Sequence, residues 1–164
     1  MNKQEDQIDR IQAEWRREEP EIDVAPQGVF GRLARLSSLV HQEICSTYEQ
    51  HGITEADFDV MATLRRAGKP FERRATELAE HTMVTSGGLT KRVDRLIGLG
   101  FVERRLGEHD ARERVIGLTP EGKRVLDAAF RDHMANEKIM LDRFTARERE
   151  ILPELLKTWL AHYE

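Results

Sequence analysis

The sequence of 164 residues has little of several things: one cysteine, five prolines, and aromatic side chains at only 6 % of positions. A lone thiol, Cys45, excludes an intramolecular disulfide and suits a reducing compartment. No stretch approaches the ~20 consecutive apolar residues of a membrane-spanning helix. The opening MNKQEDQIDR is charged and lacks the apolar core of a secretory leader, so a cytoplasmic protein is the expectation. Nucleophile elbow, phosphate loop, dinucleotide fingerprint and paired-carboxylate site are all missing from the pattern, which points away from an enzyme and from any bound cofactor. The histidines (His41, His51, His81, His109, His133 and His162) are scattered, and solvated or capping roles are predicted for them.

Charge and helix formers are abundant. Charged residues make up 34 % of the chain, and with so few aromatics a mainly α body is expected, long enough to bury a proper core. The formal net charge of −4 conceals an asymmetry. From Arg65 to Arg114 there are 12 Lys/Arg against 8 Asp/Glu, whereas the remaining residues hold 14 basic and 22 acidic side chains. A cationic stretch set in an acidic body is the electrostatic footprint of a duplex-binding face.

Periodicity and capping signals divide the chain. Ile8, Ile11 and Trp15 form one apolar stripe on an otherwise charged segment, and Pro20 and Pro26 bracket a linker after it. A second helix is predicted from Val29 to about His51, carried by Val29, Leu33, Leu36, Val40 and Ile44 and ended by Gly52. Thr54 with Asp57 matches a capping box that opens a third, through Phe58, Met61 and Leu64 to Gly68. Lys69 to Phe71 read as a turn. Two short helices follow, about Arg74–His81 and Ser86–Leu99, with Thr85 as N-cap of the second and Gly100 closing it. Residues 101–106 and 113–118 alternate as two strands around a polar tip. Thr119 and Pro120 start a long helix to about Phe144. Thr145 with Glu148 opens a last helix to about His162, which Pro153 is expected to kink or delay.

The pair of short helices followed by a basic hairpin is a nucleic-acid-reading arrangement. In Ser86–Leu99 the positions Leu89, Val93 and Leu96 make a buried stripe, and Ser86, Thr90, Lys91, Asp94 and Arg95 fall on the other side or its flanks. Gly87 and Gly88 give the first turn no side chains, which allows close approach to a sugar-phosphate wall. His109, Arg112 and Arg114 at the hairpin suit a narrow, electronegative minor groove, with Asp110 near enough to orient Arg112. Any one of these arginines alone reads as a solvated surface charge; the combination is the signal.

The run TSGGLTKRVDRLIGLGFVERR, followed by DARERVIGLTPEG, resembles the winged helix-turn-helix of the MarR family of bacterial regulators, over about residues 28–163. The resemblance implies a mainly α fold with a small β-wing and an interlaced-helix homodimer. It implies a repressor whose two lobes meet the halves of a pseudo-palindromic double-stranded DNA operator. Residues 1–27 would be an extra helix and linker, 28–53 and 120–164 dimerisation helices, and 54–119 the DNA-binding lobe. On the same analogy Ser86, Thr90, Lys91 and Arg95 serve the major groove and Arg112 the minor groove. The double glycine departs from the family's usual small polar residues, so its base preference does not carry over.

Three charged residues stand where apolar ones fit the pattern: Asp59 inside FDVMATL, Arg92 beside the buried stripe, and Arg104, which strand alternation points inward with Val102 and Leu106. One reading is a structural Asp–Arg bridge locking the winged lobe to the neighbouring helix, with Trp15 covering core. The other is a ligand site. The N-terminal extension is similar to that of the urate-responsive, PecS-like branch of the family, and that resemblance implies a site for urate or a similar planar anionic aromatic at Trp15, Asp59, Arg92 and Arg104. Two guanidiniums would fork onto oxyanions, a carboxylate accept from ring N–H groups, and an indole stack. Cys45 offers a third reading, an oxidation-sensing repressor, with Tyr48 near it; that requires a lowered thiol pKa. His41, Cys45 and Glu49 share a helical face, yet no second cluster supplies a fourth zinc ligand, and no metal is expected.

Overall fold

The computed structural model describes residues 5–82, 86–107 and 113–164. By their contacts they fall into two units, Met1–Ile44 and Cys45–Glu164, and the long helix α2 (Gln27–Glu49) runs through the boundary.

In the first unit, α1 (Gln7–Glu18) begins at a capping box of two carboxylates: Asp6 accepts from the Ile8 and Asp9 N–H groups, and Asp9 accepts from the Asp6 N–H. Arg32 of α2 spans both carboxylates at 2.7 Å each. Ile8 is buried over Gly31, where an added Cβ would stand 2.9 Å from Ile8 Cδ1, so the glycine sets how closely α1 approaches. The expected stripe is only partly inside. Ile8 is covered, Trp15 is 48 % exposed, and Gln12 is buried instead, because its Nε2 donates to the Val24 carbonyl of the linker at 2.6 Å. A polar side chain with a partner can take an interior position that a hydropathy stripe assigns elsewhere.

The second unit holds the end of α2, then α3 (Glu55–Arg66), β1 (Glu72–Arg74), α4 (Ala75–His81), α5 (Ser86–Gly98), β2 (Val102–Leu106), β3 (Arg114–Leu118), α6 (Pro120–Leu141) and α7 (Ala146–Leu160). The capping boxes of Thr54 with Asp57 and of Thr145 with Glu148 are both formed. Thr119 Oγ1 accepts from the Gly122 N–H and donates to the Gly100 carbonyl, with Pro120 in the first turn of α6. Helix α7 contains Pro153 and runs on past it.

Strand β1 is a finding that alternation did not announce. Three residues are too short for a period-2 signal, but they pair antiparallel with β3, Glu72 opposite Gly117 and Arg74 opposite Val115. The sheet order is β1-β3-β2, with Val102 opposite Leu118 and Leu106 opposite Arg114. Against it packs a core of Val60, Met61 and Leu64 from α3, Leu78 from α4, Leu89, Val93 and Leu96 from α5, and Leu126 and Ala129 from α6, all buried. Burying each large apolar side chain contributes about 1.5–3 kcal/mol. No described helix is long and apolar enough to cross a membrane.

Candidate nucleic-acid interface

Helix α5 is two-faced, as its sequence requires. Leu89, Val93 and Leu96 point into the core, and Thr90, Lys91, Asp94 and Arg95 are exposed. Ser86 opens the helix where the sequence places it. Its expected N-cap, Thr85, lies outside the described residues, as do His109, Asp110 and Arg112 of the hairpin tip. Arg114 heads β3 and is exposed. Polar groups on a helix anchored by its opposite face, beside a basic hairpin, can reach base edges and phosphates together.

The anchoring is electrostatic as well as apolar. Arg92 Nη1 lies 3.2 Å from Asp57 Oδ1, and Arg95 Nε lies 3.1 Å from Asp57 Oδ2. Arg92 also donates to Thr54 Oγ1 at 3.1 Å. Asp57 is fully buried, and burial works to raise its pKa. The Thr54 N–H and hydroxyl, then Arg95 and Arg92, outweigh burial, and its carboxyl is held below the ordinary 3.8. An Asp–Arg bridge therefore exists, but its carboxylate is Asp57, where the sequence pattern pointed to Asp59. Asp59 is half-buried two residues further along α3. Two residues turn a helix by about 200°, so only one of the pair can face α5. The capping box signalled Asp57 from the sequence; its second use by α5 left no local trace.

Arg104 also departs from expectation. Val102 is buried, but Leu106 is 55 % exposed and Arg104 is exposed, its Nη2 donating to Asp94 Oδ1 at 2.8 Å. Alternation gives the face correctly, since Arg104 lies opposite the buried Ile116, but the far end of β2 extends past the core that would cover it. The bridge ties β2 to α5, and both Arg104 and Arg114 border a mostly apolar groove of about 390 Å³ over Leu78, Leu89, Val93 and Ile116.

Trp15, in the first unit, lines a cavity of about 400 Å³ with Ile22, Val24, Pro26 and Gln27, rimmed by Glu19 and Asp23. Cys45 is half-buried, and desolvation, then the Glu55 and Glu49 carboxylates, push its thiol up, opposite to what a reactive cysteine needs. His133 corrects the reading of the histidines as solvated. It is buried, its Nε2 3.2 Å from Glu137 and its Nδ1 3.3 Å from the Tyr48 hydroxyl, and Tyr48 stacks on Phe58 at 4.3 Å. With Nε2–H donating to the carboxylate, Nδ1 is left to accept from Tyr48. His51 pairs with Asp132 at 2.8 Å, and His81 takes the expected helix-terminal position, its Nδ1 on the Glu77 carbonyl.

A family model described as "MarR family" matches residues 51–113, which include the helix pair and β2. Over 150 residues the chain is 33 % identical to the HTH-type transcriptional regulator PecS of Dickeya dadantii, covering 92 % of this chain and 90 % of that one. The chain belongs to the MarR family. Among solved structures, a mutant of the MarR protein of E. coli complexed with operator DNA is 25 % identical, with a TM-score of 0.69 over 84 % of this chain and 96 % of that one. The regulator Sco3205 of Streptomyces coelicolor, also in complex with DNA, shares the fold at a TM-score of 0.74 and 22 % identity, over 87 % of this chain and 94 % of its own. The MarR-family fold accounts for the helix pair and the sheet in one step: the second unit is a winged helix-turn-helix, and the protein is a DNA-binding transcriptional regulator.

Proposed function

We propose that this MarR-family protein is a ligand-responsive repressor that binds a pseudo-palindromic operator as a homodimer and is released by urate or a similar planar anionic aromatic. The observation that carries the DNA half is α5 itself, with three core leucines and valines on one face and exposed Thr90, Lys91 and Arg95 on the other. Ser86, Thr90, Lys91 and Arg95 serve the major groove, and Arg112 and Arg114 the minor groove. The dimer is supported by the apolar side chains left exposed on α2 (Phe30, Leu36) and on α7 (Leu155, Leu160), each more than half exposed. Such side chains in a regulator call for a second copy to cover them.

The effector class rests on residue chemistry. Arg92 and Arg104 offer guanidiniums to oxyanions, Asp59 accepts from ring N–H groups, and Trp15 stacks on an aromatic face. Arg92 belongs to α5, so an anion that draws on it acts directly on the reading helix. The observed Arg92–Asp57 bridge favours a second reading, in which Arg92 braces the lobe and the protein binds DNA constitutively. A gel shift on promoter DNA, titrated with urate, separates the two. Release that Arg92→Ala and Trp15→Phe weaken supports the first; complexes indifferent to urate support the second. A monomer that ignores duplexes at modest salt would overturn both.

A further inference from the structure

We propose that Asp57 is a positioning residue for DNA recognition, fixing the rotation of α5 through Arg92 and Arg95 and so setting operator discrimination. This rests on the DNA-binding role given above.

The argument starts from the cost of the carboxylate. A fully buried charge is expensive, and apolar side chains of similar size in place of the carboxylate and its arginines together would often hold a core at least as well. Asparagine could also take the N–H of Thr54 at the start of α3. The charge therefore has to be explained by what it holds. Its two oxygens engage different arginines, Oδ1 the Nη1 of Arg92 and Oδ2 the Nε of Arg95. These residues are three apart on α5, about 4.5 Å along its axis and on one side of it. A single attachment would be a pivot; two on the same side resist turning about the axis. Rotation is the motion that matters, because Thr90, Lys91 and Asp94 are aimed by it, and a turn of a few tens of degrees exchanges which of them faces a base edge.

The Arg95 contact adds a second effect. Asp57 takes Nε, which leaves the outer edge of the guanidinium, on a side chain 44 % exposed, oriented for a phosphate. Asp57 thus reaches the DNA only through Arg92 and Arg95.

The test uses the full chain, a duplex selected by the wild-type protein from a random pool, and a scrambled duplex of equal length, each at several salt concentrations. Asp57→Asn is expected to bind the selected duplex about tenfold more weakly while holding or gaining affinity for the scrambled one. Its salt dependence on the scrambled duplex steepens by about one unit, because freed arginines add phosphate contacts. A selected-to-scrambled ratio within about twofold of wild type, including a parallel fall on both, overturns the proposal. Thr54→Ala removes the cap and the hydroxyl that Arg92 also meets, but keeps both bridges to the carboxylate. It is expected to lower Tm with a clearly smaller loss of ratio than Asp57→Asn, and an equal loss of ratio there overturns the proposal. Should Asp57→Asn not fold, Arg92→Gln on the lobe's rim is expected to lose discrimination at an unchanged salt slope. An unchanged ratio, or a slope reduced by about one as for a direct phosphate contact, overturns it. Failure of the DNA-reading role itself would show in the wild-type protein, as an inability to select any duplex.

Discussion

Gly122, in the first turn of α6, lies so close to Phe101 that a Cβ on it would stand 1.8 Å from the Phe101 carbonyl oxygen. That same carbonyl accepts from the Thr119 N–H at 3.1 Å, so the start of α6 and the entry to β2 are joined backbone to backbone. No side-chain rotation can relieve a clash with a carbonyl. Gly122→Ala is expected to cost about 3 kcal/mol or more. Calorimetry should show Tm falling by roughly 6–12 °C at ~2–4 °C per kcal/mol. A Tm within a degree or two of wild type would mean that the two segments part freely.

The buried bridge predicts a pH dependence of stability. The Asp57 carboxyl is lower in the folded protein than its ordinary 3.8, so the unfolded chain binds its proton first and stability rises with pH through that region. The contribution is complete above the unfolded value and is lost as pH falls through the folded one. At neutral pH, Asp57→Asn should be less stable than wild type by about 2 kcal/mol, the worth of charge-assisted hydrogen bonds at a buried group. Urea titrations between about pH 6 and pH 3 should show the gap narrowing toward acid. A gap independent of pH would sink the assignment.

Lys91 and Thr90 are neighbours on the exposed face of α5 and should differ in how they fail. Lys91→Ala removes a point charge, so binding should weaken similarly on all duplexes, with a salt slope lower by about 0.9. Thr90→Val removes a hydroxyl at constant shape, so it should leave the slope alone and relax preference at one base position by about 1–3 kcal/mol. Anisotropy titrations at several salt concentrations distinguish the two. Identical slopes for Lys91→Ala and wild type would remove Lys91 from the interface.

Cys45 provides a test of oxidative control. Its raised thiol leaves little thiolate at neutral pH, so maleimide labelling of the folded protein should be slower than that of the same cysteine in the urea-unfolded chain. Organic hydroperoxide should leave DNA binding alike in wild type and Cys45→Ser. Release by peroxide that Cys45→Ser abolishes would restore the redox reading.

Legibility followed the range of the interaction. Helix starts at Thr54, Thr119 and Thr145 could be read because a cap is satisfied within three or four residues of chain. The stripe Leu89, Val93 and Leu96 could be read because helical period alone decides that these share a face. Strand β1 could not, since three residues become a strand only when β3 offers them partners. The exposure of Arg104 could not be read either, because alternation assigns a face but cannot tell where the covering core ends.

The sequence by itself determined the order of the helices and of the two hairpin strands, the inward and outward faces of α5, and the resemblance to the family, because caps, period and composition act along the chain. Only tertiary structure decided that Arg92 and Arg95 meet Asp57, that Arg104 meets Asp94, and that Gly122 has no room for a side chain. Those pairings depend on which face of one element is laid against which face of another. That choice is made by packing between segments tens of residues apart, where no local spacing records it.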